Sequence, residues 1–364
     1  MSRNSSMLLV GVGGAGCAMA RGVRRAFGED LRHVLVDTDA STGDADSPFV
    51  LLGAERLSGR GAGGEIVNAR LATEDTVKLM DDWLEGARLA VVVTALGGGT
   101  GGGATLEVLK HLAKRGVATI LFATTPFAFE GEARHRNARG MISMLSDVAN
   151  ASFFLPLDKL VGEEPTMDAA MRHAVDTLAC AVTLFWRLVE KPGYIRLDVE
   201  RIRQIVQGAG RGRFAAVTAR GEARAAASVK ALVGSQLLAE GTRTVKSILC
   251  GVLAGADLRL AEVGEVAEGL KTAFGAHADF ELATVNDEET FSGRLSVVAM
   301  LFESSTKDDA SAKAKSARKV RAGRNALLAA PQGRGRFNNA EPTIWRGEDL
   351  DIPTYLRQNI NLDF

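Results

Sequence analysis

Cysteine and histidine are scarce in this sequence, and their spacing excludes two kinds of site. The chain of 364 residues has three cysteines, far apart and without CxxC spacing: Cys17, Cys180 and Cys250. This pattern supports neither a disulfide framework nor a zinc site, and we expect all three thiols to be buried as small hydrophobic groups. None of the five histidines has metal-ligand spacing from another histidine or a cysteine, so the sequence predicts no metal site.

A net charge and a long apolar segment are also missing. Forty-four basic residues balance forty-four acidic residues, which gives no overall attraction to nucleic acid or to an anionic membrane. No stretch approaches the roughly 20 uninterrupted apolar residues that a membrane span needs, and no apolar run of signal-peptide type precedes Met7. We therefore expect a cytoplasmic protein that does not bind nucleic acid and does not insert directly into a membrane.

The first half of the sequence alternates short apolar runs with amphipathic segments. The apolar runs, which we interpret as buried strands, are residues 7–10, 31–36, 89–94, 118–124 and 153–155. Helical patterns lie between these runs, so the order predicts a parallel α/β sheet that is covered on both faces. A long helical pattern over residues 166–190 ends at Pro192 and Gly193, because neither residue continues a helix well.

The second half predicts a smaller α+β unit. Its strands are expected at residues 214–218, 244–253, 279–285 and 295–302, and its helices at residues 222–233 and 260–274. We interpret the last two strands as an antiparallel pair. The predicted organisation is an α/β domain over residues 1–165, a connecting helix over 166–193 and an α+β domain over 194–303.

The composition changes after residue 303. Between Lys313 and Arg336 there are eight basic residues and no acidic residue, and aromatic residues are almost absent. Such a segment cannot bury enough apolar surface to fold, so residues 304–341 are predicted to be a disordered basic linker. Residues 342–364 contain Ile, Trp, Leu and Tyr again, and we interpret them as a short partner-binding peptide at the end of that linker.

A glycine-rich loop joins the first predicted strand to the first predicted helix. Its sequence, GVGGAG at residues 11–16, permits close approach to the backbone, and the next helix offers free N–H groups to an anion. Taken alone, the loop also fits a dinucleotide-binding fold, because Asp37 stands 21 residues after Gly16, where a dehydrogenase keeps its ribose-binding acid. A Rossmann oxidoreductase is therefore the competing interpretation.

Two further glycine loops favour a different ligand. The run GGGTGGG at residues 97–103 follows a predicted strand and opens another helix, which places a second anion-binding loop at the same edge of the sheet. A third loop, GRGAGG at residues 59–64, could close on the same phosphates. Three such loops along one sheet edge suit a nucleoside triphosphate better than the bridging pyrophosphate of a dinucleotide.

The run at residues 97–103 resembles the signature of the tubulin/FtsZ family, a glycine-rich loop with one central threonine. Further segments resemble the family in the same order: GVGGAG at 11–16, VDTDA at 36–40, the loop from residue 59, TPFAFEG at 125–131 and LPLD at 155–158. The likeness continues at lower identity to residue 302 and returns in LDIPTYLR, from Leu350 to Arg357. It covers essentially the whole chain. It implies a Rossmann-like GTPase domain, a long central helix, a second α+β domain, a disordered linker and a docking peptide.

The resemblance implies a site for GTP or GDP at the sheet edge, with Mg²⁺ bound through the phosphates. The residues that match the family's phosphate-binding loops are Gly13, Gly14, Ala15, Gly61, Ala62, Gly63, Gly97, Gly98, Gly99, Thr100 and Gly101. Glu130 and Arg134 match the positions at the ribose. The resemblance also implies that subunits stack head to tail, so that one subunit's loop completes the next subunit's site and open-ended filaments form.

Three positions depart from the family where its members contact guanine. An early Asn is replaced by Ala18, the Asn of a Pro-Asn-Asp run by Leu157 and, in an ungapped alignment, an Asn or Asp of the central helix by Val175. Asp176, one residue later, is the candidate replacement for the last of these. Each lost hydrogen bond to the base removes roughly 1–3 kcal/mol of discrimination, so the sequence leaves guanine specificity open.

The loop after Pro192 and Gly193 departs from the family as well. By resemblance, an Asn and two acids of this loop reach the neighbouring subunit's site, where an acid polarises the attacking water. Here Asp198 is retained and Glu200 is displaced by one residue, while the Asn and the second acid are replaced by arginines, Arg196 and Arg201. Asp198 and Glu200 are the candidate catalytic residues. We expect slow or absent hydrolysis, because an arginine cannot act as a base.

Two functions follow from the resemblance. The first is a GTP-binding protein that polymerises into the cytokinetic ring at the division septum and is held there when the segment from Leu350 to Arg357 docks onto a membrane-tethering division protein. The second is a non-hydrolysing paralogue with a structural or regulatory role in such filaments. The oxidoreductase is a remote third alternative, because a dehydrogenase has no reason to end in a tethered docking peptide.

Overall fold

A computed structural model describes residues 5–161, 166–239, 244–303, 344–345 and 348–349. Residues Met1–Ser305 form one compact unit, and Thr306–Phe364 form a second. In the second unit, the described residues are two short antiparallel strands. The predicted linker at 304–341 and the peptide from Leu350 to Arg357 lie outside the described residues.

Strands and helices alternate through most of the first unit. The strands are β1 (Met7–Val12), β2 (His33–Asp37), β3 (Phe49–Leu51), β4 (Leu89–Ala95), β5 (Ala118–Thr125), β6 (Ala151–Pro156), β7 (Gly210–Arg220), β8 (Val245–Ala254), β9 (Asp279–Asn286) and β10 (Arg294–Glu303), with β11 (Ile344–Trp345) and β12 (Glu348–Asp349) in the second unit. The helices are α1 (Gly13–Phe27), α2 (Ala54–Leu57), α3 (Ile66–Thr76), α4 (Asp81–Leu84), α5 (Gly99–Lys114), α6 (Glu132–Val148), α7 (Leu157–Leu160), α8 (Met167–Glu190), α9 (Val199–Val206), α10 (Arg224–Val233), α11 (Gln236–Ala239), α12 (Leu260–Phe274) and α13 (Glu288–Phe291).

Ten strands form one sheet in the order β3-β2-β1-β4-β5-β6-β7-β10-β8-β9. From β3 to β7 in this order, each strand is parallel to the next, which confirms the predicted parallel sheet. The predicted antiparallel pairing of the last two strands is wrong, because β10 pairs with β7 and β8, while β9 pairs with β8 in parallel. Helix α12 forms a crossover connection between β8 and β9, so those two strands are parallel. Strand β10 pairs with the other edge of β8.

Side chains of the parallel strands alternate between two hydrophobic cores. Along β1, Met7 and Leu9 pack into one core with α1 and α8, whereas Leu8, Val10 and Val12 pack into the other with α5 and α6. Because both faces of the sheet are covered, these strands have no polar face, which explains their continuous apolar sequences. A third core lies between the second half of the sheet and helices α10 and α12.

The predicted long helix is present as α8. The side chain of Thr166 accepts a hydrogen bond from the backbone N–H of Ala169 at 3.2 Å and so caps its N-terminus. One face of α8 packs into the first core, but Cys180 is exposed, so the prediction of three buried cysteines is wrong. Ala179 faces the core, and the rotation of about 100° per residue turns the next side chain towards solvent. Among the described residues, no helix has both the length and the apolar character needed to cross a bilayer.

Candidate functional site

The topology of the sheet locates a crevice at the carboxyl ends of its strands. From β1 the chain builds β2 and β3 on one side and then β4, β5 and β6 on the other, so the order reverses between β1 and β4. In parallel α/β sheets, ligands bind outside the carboxyl ends of the strands at such a point. A cavity of about 260 Å³ lies there.

The cavity is lined by the last residues of β1 and β4, by residues that follow β1, β4, β5 and β6, and by one residue of α8. These lining residues are Val12 at the end of β1, with Gly13, Gly14 and Ala15 after it; Ala95 at the end of β4, with Leu96, Gly98, Gly99, Thr100 and Gly101 after it; Glu130 and Arg134 after β5; Leu157 after β6; and Met171 on α8. The structure therefore brings together nine of the predicted nucleotide-binding residues. The other five, Gly61, Ala62, Gly63, Gly97 and Asp176, are not among the lining residues.

Two other surface cavities in the described part of the chain are larger. One, of about 580 Å³, lies beside the end of α12 and the start of β9, and the other, of about 540 Å³, is lined mainly by charged side chains of both signs beside α5. Neither brings two glycine loops together. The cavity between β1 and β4 is the candidate site because of its chemistry and its place in the topology, not its size.

Two helices begin at the cavity without a side-chain cap. Helix α1 begins at Gly13 and α5 at Gly99, and neither Val12 nor Gly98 before them caps the first turn with a side chain. Neither first turn contains an acidic residue, whereas both last turns contain basic residues. The unpaired N–H groups and the positive dipole ends of both helices thus face one cavity, an arrangement that suits an anion with several phosphate groups.

The glycines at residues 97–103 serve different purposes. A Cβ atom on Gly101 would lie 1.9 Å from the carbonyl oxygen of Ala95, and one on Gly103 would lie 2.2 Å from that of Ile66. These two glycines therefore allow α5 to pack closely against β4 and α3. A Cβ atom on Gly98, in contrast, would meet no protein atom within 4 Å. Gly98 thus lines the cavity at a position where the fold leaves room for a Cβ atom.

Hydrogen bonds between neighbouring loops fix the glycine-lined end of the cavity. Thr38 Oγ1 and Thr100 Oγ1 lie 2.7 Å apart and join the loop after β2 to the first turn of α5. Asn137 Nδ2 donates to the carbonyl oxygens of Gly97 at 3.2 Å and Gly64 at 3.4 Å, which joins two of the glycine loops. Asn137 was not predicted from the sequence, because a single Asn on the polar side of a helix has no distinguishing pattern.

The third glycine loop supports the cavity from outside. The N–H of Gly61 donates to the carbonyl oxygen of Thr38 at 3.1 Å. Ala62 is buried and lies so close to α5 that a Cβ atom on Gly99 would be 3.0 Å from its methyl group. In this structure, the loop positions residues that line the cavity. The direct contacts from Gly61, Ala62 and Gly63 to phosphates stay a prediction.

Glu130 and Arg134 line the cavity beyond the glycine loops and form an ion pair with each other. Glu130 Oε2 accepts a hydrogen bond from Arg134, and Oε1 accepts one from the backbone N–H of Phe127 at 2.9 Å. Both carboxylate oxygens are therefore engaged. In the part of the chain that the structure describes, no three His, Cys, Asp or Glu side chains are grouped to hold a metal ion.

The opposite end of the cavity is apolar. Leu157, 7% exposed, begins α7 directly after β6, and Met171 lies in the first part of α8. Val175, one turn further along α8, packs into the core near Gly22 of α1, and Asp176 is exposed. The residue of α8 that lines the cavity is thus Met171, one turn before the position given by the ungapped alignment.

Asp37, the residue that favoured a dinucleotide, does not line the cavity. Its buried carboxylate accepts hydrogen bonds from the backbone N–H of Thr38 and the hydroxyl of Thr42, both at 2.7 Å. Burial raises the pKa of this carboxyl group above its ordinary value. Asp37 shapes the loop after β2, and its geometry gives no support to a ribose-binding role in an oxidoreductase.

The loop between α8 and α9 presents exposed apolar side chains on a backbone that is held in place. Tyr194 is 79% exposed and Ile195 is 43% exposed. The N–H of Thr284 donates to the carbonyl oxygen of Ile195, and the N–H of Ile195 donates to Thr284 Oγ1, both at 2.9 Å. An apolar pair thus lies on the surface, where solvent favours its burial by another molecule.

The charged residues after this loop are paired within the chain. Asp198 caps α9 by accepting a hydrogen bond from the N–H of Arg201 at 2.7 Å. Glu200 pairs with Arg88 at 2.7 Å, and Arg201 pairs with Glu281 at 2.7 Å. Neither Asp198 nor Glu200 lines the cavity of its own chain.

A parallel sheet with two glycine loops and two helix N-termini at its topological switch point defines a phosphate-binding α/β protein. Residues 6–163 match the Tubulin/FtsZ family, GTPase domain. Cell division protein FtsZ 1 of Halobacterium salinarum is 31% identical over 298 residues, which cover 78% of this chain and 73% of the relative. The chain therefore belongs to the tubulin/FtsZ family, which confirms the resemblance found in the glycine loops.

Solved structures agree with this assignment. An empty FtsZ dimer from M. jannaschii has a TM-score of 0.75 and 25% sequence identity, over 81% of this chain and 87% of that chain. A GTPγS-bound protofilament of CetZ2 from Haloferax volcanii has a TM-score of 0.71 and 20% identity, over 88% and 99% of the two chains. The first likeness supports the family, and the second shows the shared fold.

Proposed function

We propose that this protein binds GTP or GDP and polymerises head to tail into filaments at the bacterial division site, in the manner of FtsZ. The observation that carries nucleotide binding is the convergence of two uncapped helix N-termini on one glycine-lined cavity. Phosphates would lie against the backbone from Gly13 to Ala15 and from Gly98 to Gly101, with the ribose at Glu130 and Arg134. Mg²⁺, which favours phosphate oxygens, would enter with the nucleotide.

Self-assembly is supported by the relatives and by this chain's own surface. The M. jannaschii protein is described as a dimer and the Haloferax volcanii protein as a protofilament. In this chain, Tyr194 and Ile195 offer an ordered apolar contact. A contact between this loop and the cavity of the next subunit uses two different surfaces. A filament of any length therefore keeps a free cavity at one end and a free loop at the other, and further subunits can add.

We further propose a division of labour along the chain. Residues 1–165 bind the nucleotide, and residues 166–193 connect this domain to the α+β domain. Residues 194–303 form that second domain and contact the next subunit. Residues 304–341 act as a tether. Residues 342–364 dock onto a membrane-tethering division protein through the segment from Leu350 to Arg357, which places a cytoplasmic filament at the septum.

A second candidate function, a filament component that does not hydrolyse GTP, is favoured by the paired charges after α8. Asp198 is engaged as a helix cap and Glu200 as a partner of Arg88, and Arg201 cannot accept a proton from water. Phosphate release measured against protein concentration separates the two candidates. Hydrolysis completed by a neighbour rises more than linearly with concentration, whereas the second candidate releases no phosphate while still assembling.

The experiment that tests the proposed function is sedimentation of the full chain at increasing concentration with GTP, with GDP and without nucleotide. We expect pelleting above a critical concentration with GTP and none without nucleotide. Electron microscopy of the pellet distinguishes filaments from amorphous aggregate. A chain that binds no guanine nucleotide, or that stays in the supernatant under every condition, would contradict the proposal.

The docking role of the tail is tested by deleting residues 349–364. Because a flexible tether transmits proximity without fixed geometry, the truncated protein is expected to bind nucleotide and polymerise normally but to lose recruitment to the membrane. If truncation abolishes polymerisation, or leaves membrane co-localisation unchanged, the segment is not a docking peptide.

A further inference from the structure

We propose that the cavity recognises its purine base as an apolar ring, without hydrogen bonds that distinguish guanine from adenine, so that GDP and ADP bind with similar affinity. This inference rests on the proposed nucleotide binding at the cavity. The observations that carry it are the identity and the order of the lining residues across the sheet edge.

The order of the lining residues fixes which end of the cavity receives the base. The glycine loops follow β1 and β4, Glu130 and Arg134 follow β5, and Leu157 follows β6. Adjacent strands are about 4.8 Å apart, so β6 lies roughly 10 Å from β4 along the sheet edge. If the phosphates lie at the glycine loops after β1 and β4, the ribose lies at the end of β5. The base then contacts Leu157 and Met171.

Neither residue at that end reads a base by hydrogen bonding. Leu157 has an aliphatic side chain, and the Met171 thioether is a weak acceptor that makes favourable contacts with aromatic rings. Guanine and adenine have the same ring size but opposite hydrogen-bonding groups at position 6, an oxygen in one and an amino group in the other. An apolar surface contacts both rings alike, and such surfaces discriminate weakly between molecules of one shape.

The polar side chains among the described lining residues do not supply the missing selectivity. Thr100 stands at the phosphate end and is hydrogen-bonded to Thr38. Both carboxylate oxygens of Glu130 are engaged, one by Arg134 and the other by a backbone N–H. Arg134 carries only donors, which O6 of guanine accepts and the 6-amino group of adenine does not, but its ion pair with Glu130 holds it after β5, one strand away from Leu157.

The test is calorimetric titration of the full-length wild-type protein with GDP, inosine diphosphate and ADP. Inosine diphosphate keeps the oxygen at position 6 of guanine but lacks the 2-amino group. We expect the three dissociation constants to agree within about tenfold, because the described side chains at the base end, Leu157 and Met171, do not discriminate between the bases. GDP binding more than tenfold tighter than ADP would overturn the inference and leave the proposed function intact, whereas no binding by any of the three would overturn both.

A pair of variants assigns the base-contacting position. Leu157→Asn supplies a donor and an acceptor and is expected to raise the ratio of GDP to ADP affinity by about tenfold, while the volume-conserving Leu157→Met is expected to leave the ratio unchanged. An unchanged ratio in Leu157→Asn, in protein that still binds ADP, would overturn the assignment of Leu157. The wild-type titration needs neither variant and decides the inference even if Leu157→Asn does not fold.

Discussion

The cavity at the switch point and the loop after α8 are the two surfaces that a head-to-tail filament would bring together, and they differ in how far they keep the family pattern. At the glycine-lined end of the cavity, the loops match the family, and residues without functional side chains form most of the lining. In the loop, two positions expected to be polar or acidic are Arg196 and Arg201, and Glu200 is bound to Arg88.

This difference separates binding from turnover. A phosphate site made of helix N-termini depends on backbone geometry, which the close packing of Gly101 and Gly103 fixes. Hydrolysis depends on the placement of a few side chains, and one substitution can remove a catalytic base without changing the fold. The comparison thus predicts that nucleotide binding and assembly are retained while hydrolysis is weak.

The largest expected effect comes from breaking the cavity at Gly98. In Gly98→Val the added Cβ atom has no protein atom within 4 Å and belongs to a residue that lines the cavity, so we expect a normal fold and at least roughly 100-fold weaker GDP binding through loss of several phosphate hydrogen bonds. Calorimetry and circular dichroism measure the two effects. The matched control Gly101→Ala, whose Cβ atom would lie 1.9 Å from Ala95 O, is expected to destabilise the fold itself. Unchanged affinity in folded Gly98→Val would show that the loop does not hold phosphate.

A second prediction compares the ion pairs of the loop with a buried pair in the same half of the chain. Glu262 pairs with Arg224 at 2.7 Å, and both side chains are 5% exposed, whereas Arg201 and Glu281 are partly exposed. Arg224 also pairs with Asp257 at 2.7 Å and keeps that partner. Glu262→Gln should therefore reduce the free energy of unfolding by about 2–3 kcal/mol, and Glu281→Gln by about 0–1 kcal/mol. Denaturant unfolding of both variants measures the contrast. Equal losses of unfolding free energy in the two variants would contradict this prediction. They would mean that the Arg201–Glu281 ion pair stabilises the fold as much as the buried pair does.

The same buried pair sets a pH dependence. Hydrogen bonding to Arg224 lowers the pKa of the Glu262 carboxyl from 4.5 to about 2. A carboxyl group with a depressed pKa in the folded state stabilises the protein above its unfolded pKa. The contribution of Glu262 is therefore complete above about pH 4.5 and is lost as the pH falls from 4.5 towards 2. In Glu262→Gln this acid-dependent loss of stability should be smaller. An identical acid profile in wild type and variant would contradict the assignment.

A smaller effect is expected from repairing the loop. Arg201→Asp places an acid where the family keeps one, and we expect GTP turnover to rise about tenfold, a modest share of what a positioned base can supply. Phosphate release at fixed protein concentration measures it. Glu281→Gln is the control, because it frees Arg201 from its partner without adding an acid and should not raise turnover. Rapid hydrolysis by the wild type, slowed by Arg201→Asp, would show that the roles are assigned to the wrong residues.

Much of this architecture could be predicted because local patterns determine it. The helix expected at residues 260–274 has those bounds, and the two phosphate loops follow from glycine runs between a strand and a helix. The partner of β9 could not be predicted, because adjacency in sequence suggested β10 while the crossover helix α12 made β8 its neighbour. Strand order depends on which surfaces pack, and a single sequence does not display that information.

The candidate site shows the same limit at the level of single residues. All the glycines at residues 97–103 look equivalent in sequence, yet only the three-dimensional packing separates Gly98 from Gly101. Met171 was missed because an ungapped alignment cannot register a shift of one helical turn, and Asn137 because its partners are backbone carbonyl groups of distant loops. Residues that belong to a recognisable sequence motif can be predicted. Residues whose contribution depends on their position in the folded chain cannot.

The most direct test of head-to-tail assembly is to mix two variants that are each damaged on one surface. Gly98→Val disables the cavity, and Tyr194→Glu places a charge on the loop. Alone, each variant should remain monomeric with GTP. Mixed in equal amounts, they should form a complex of twice the monomer mass in analytical ultracentrifugation, because the intact loop of one variant fits the intact cavity of the other. Filaments from either variant alone, or no complex in the mixture, would contradict the account.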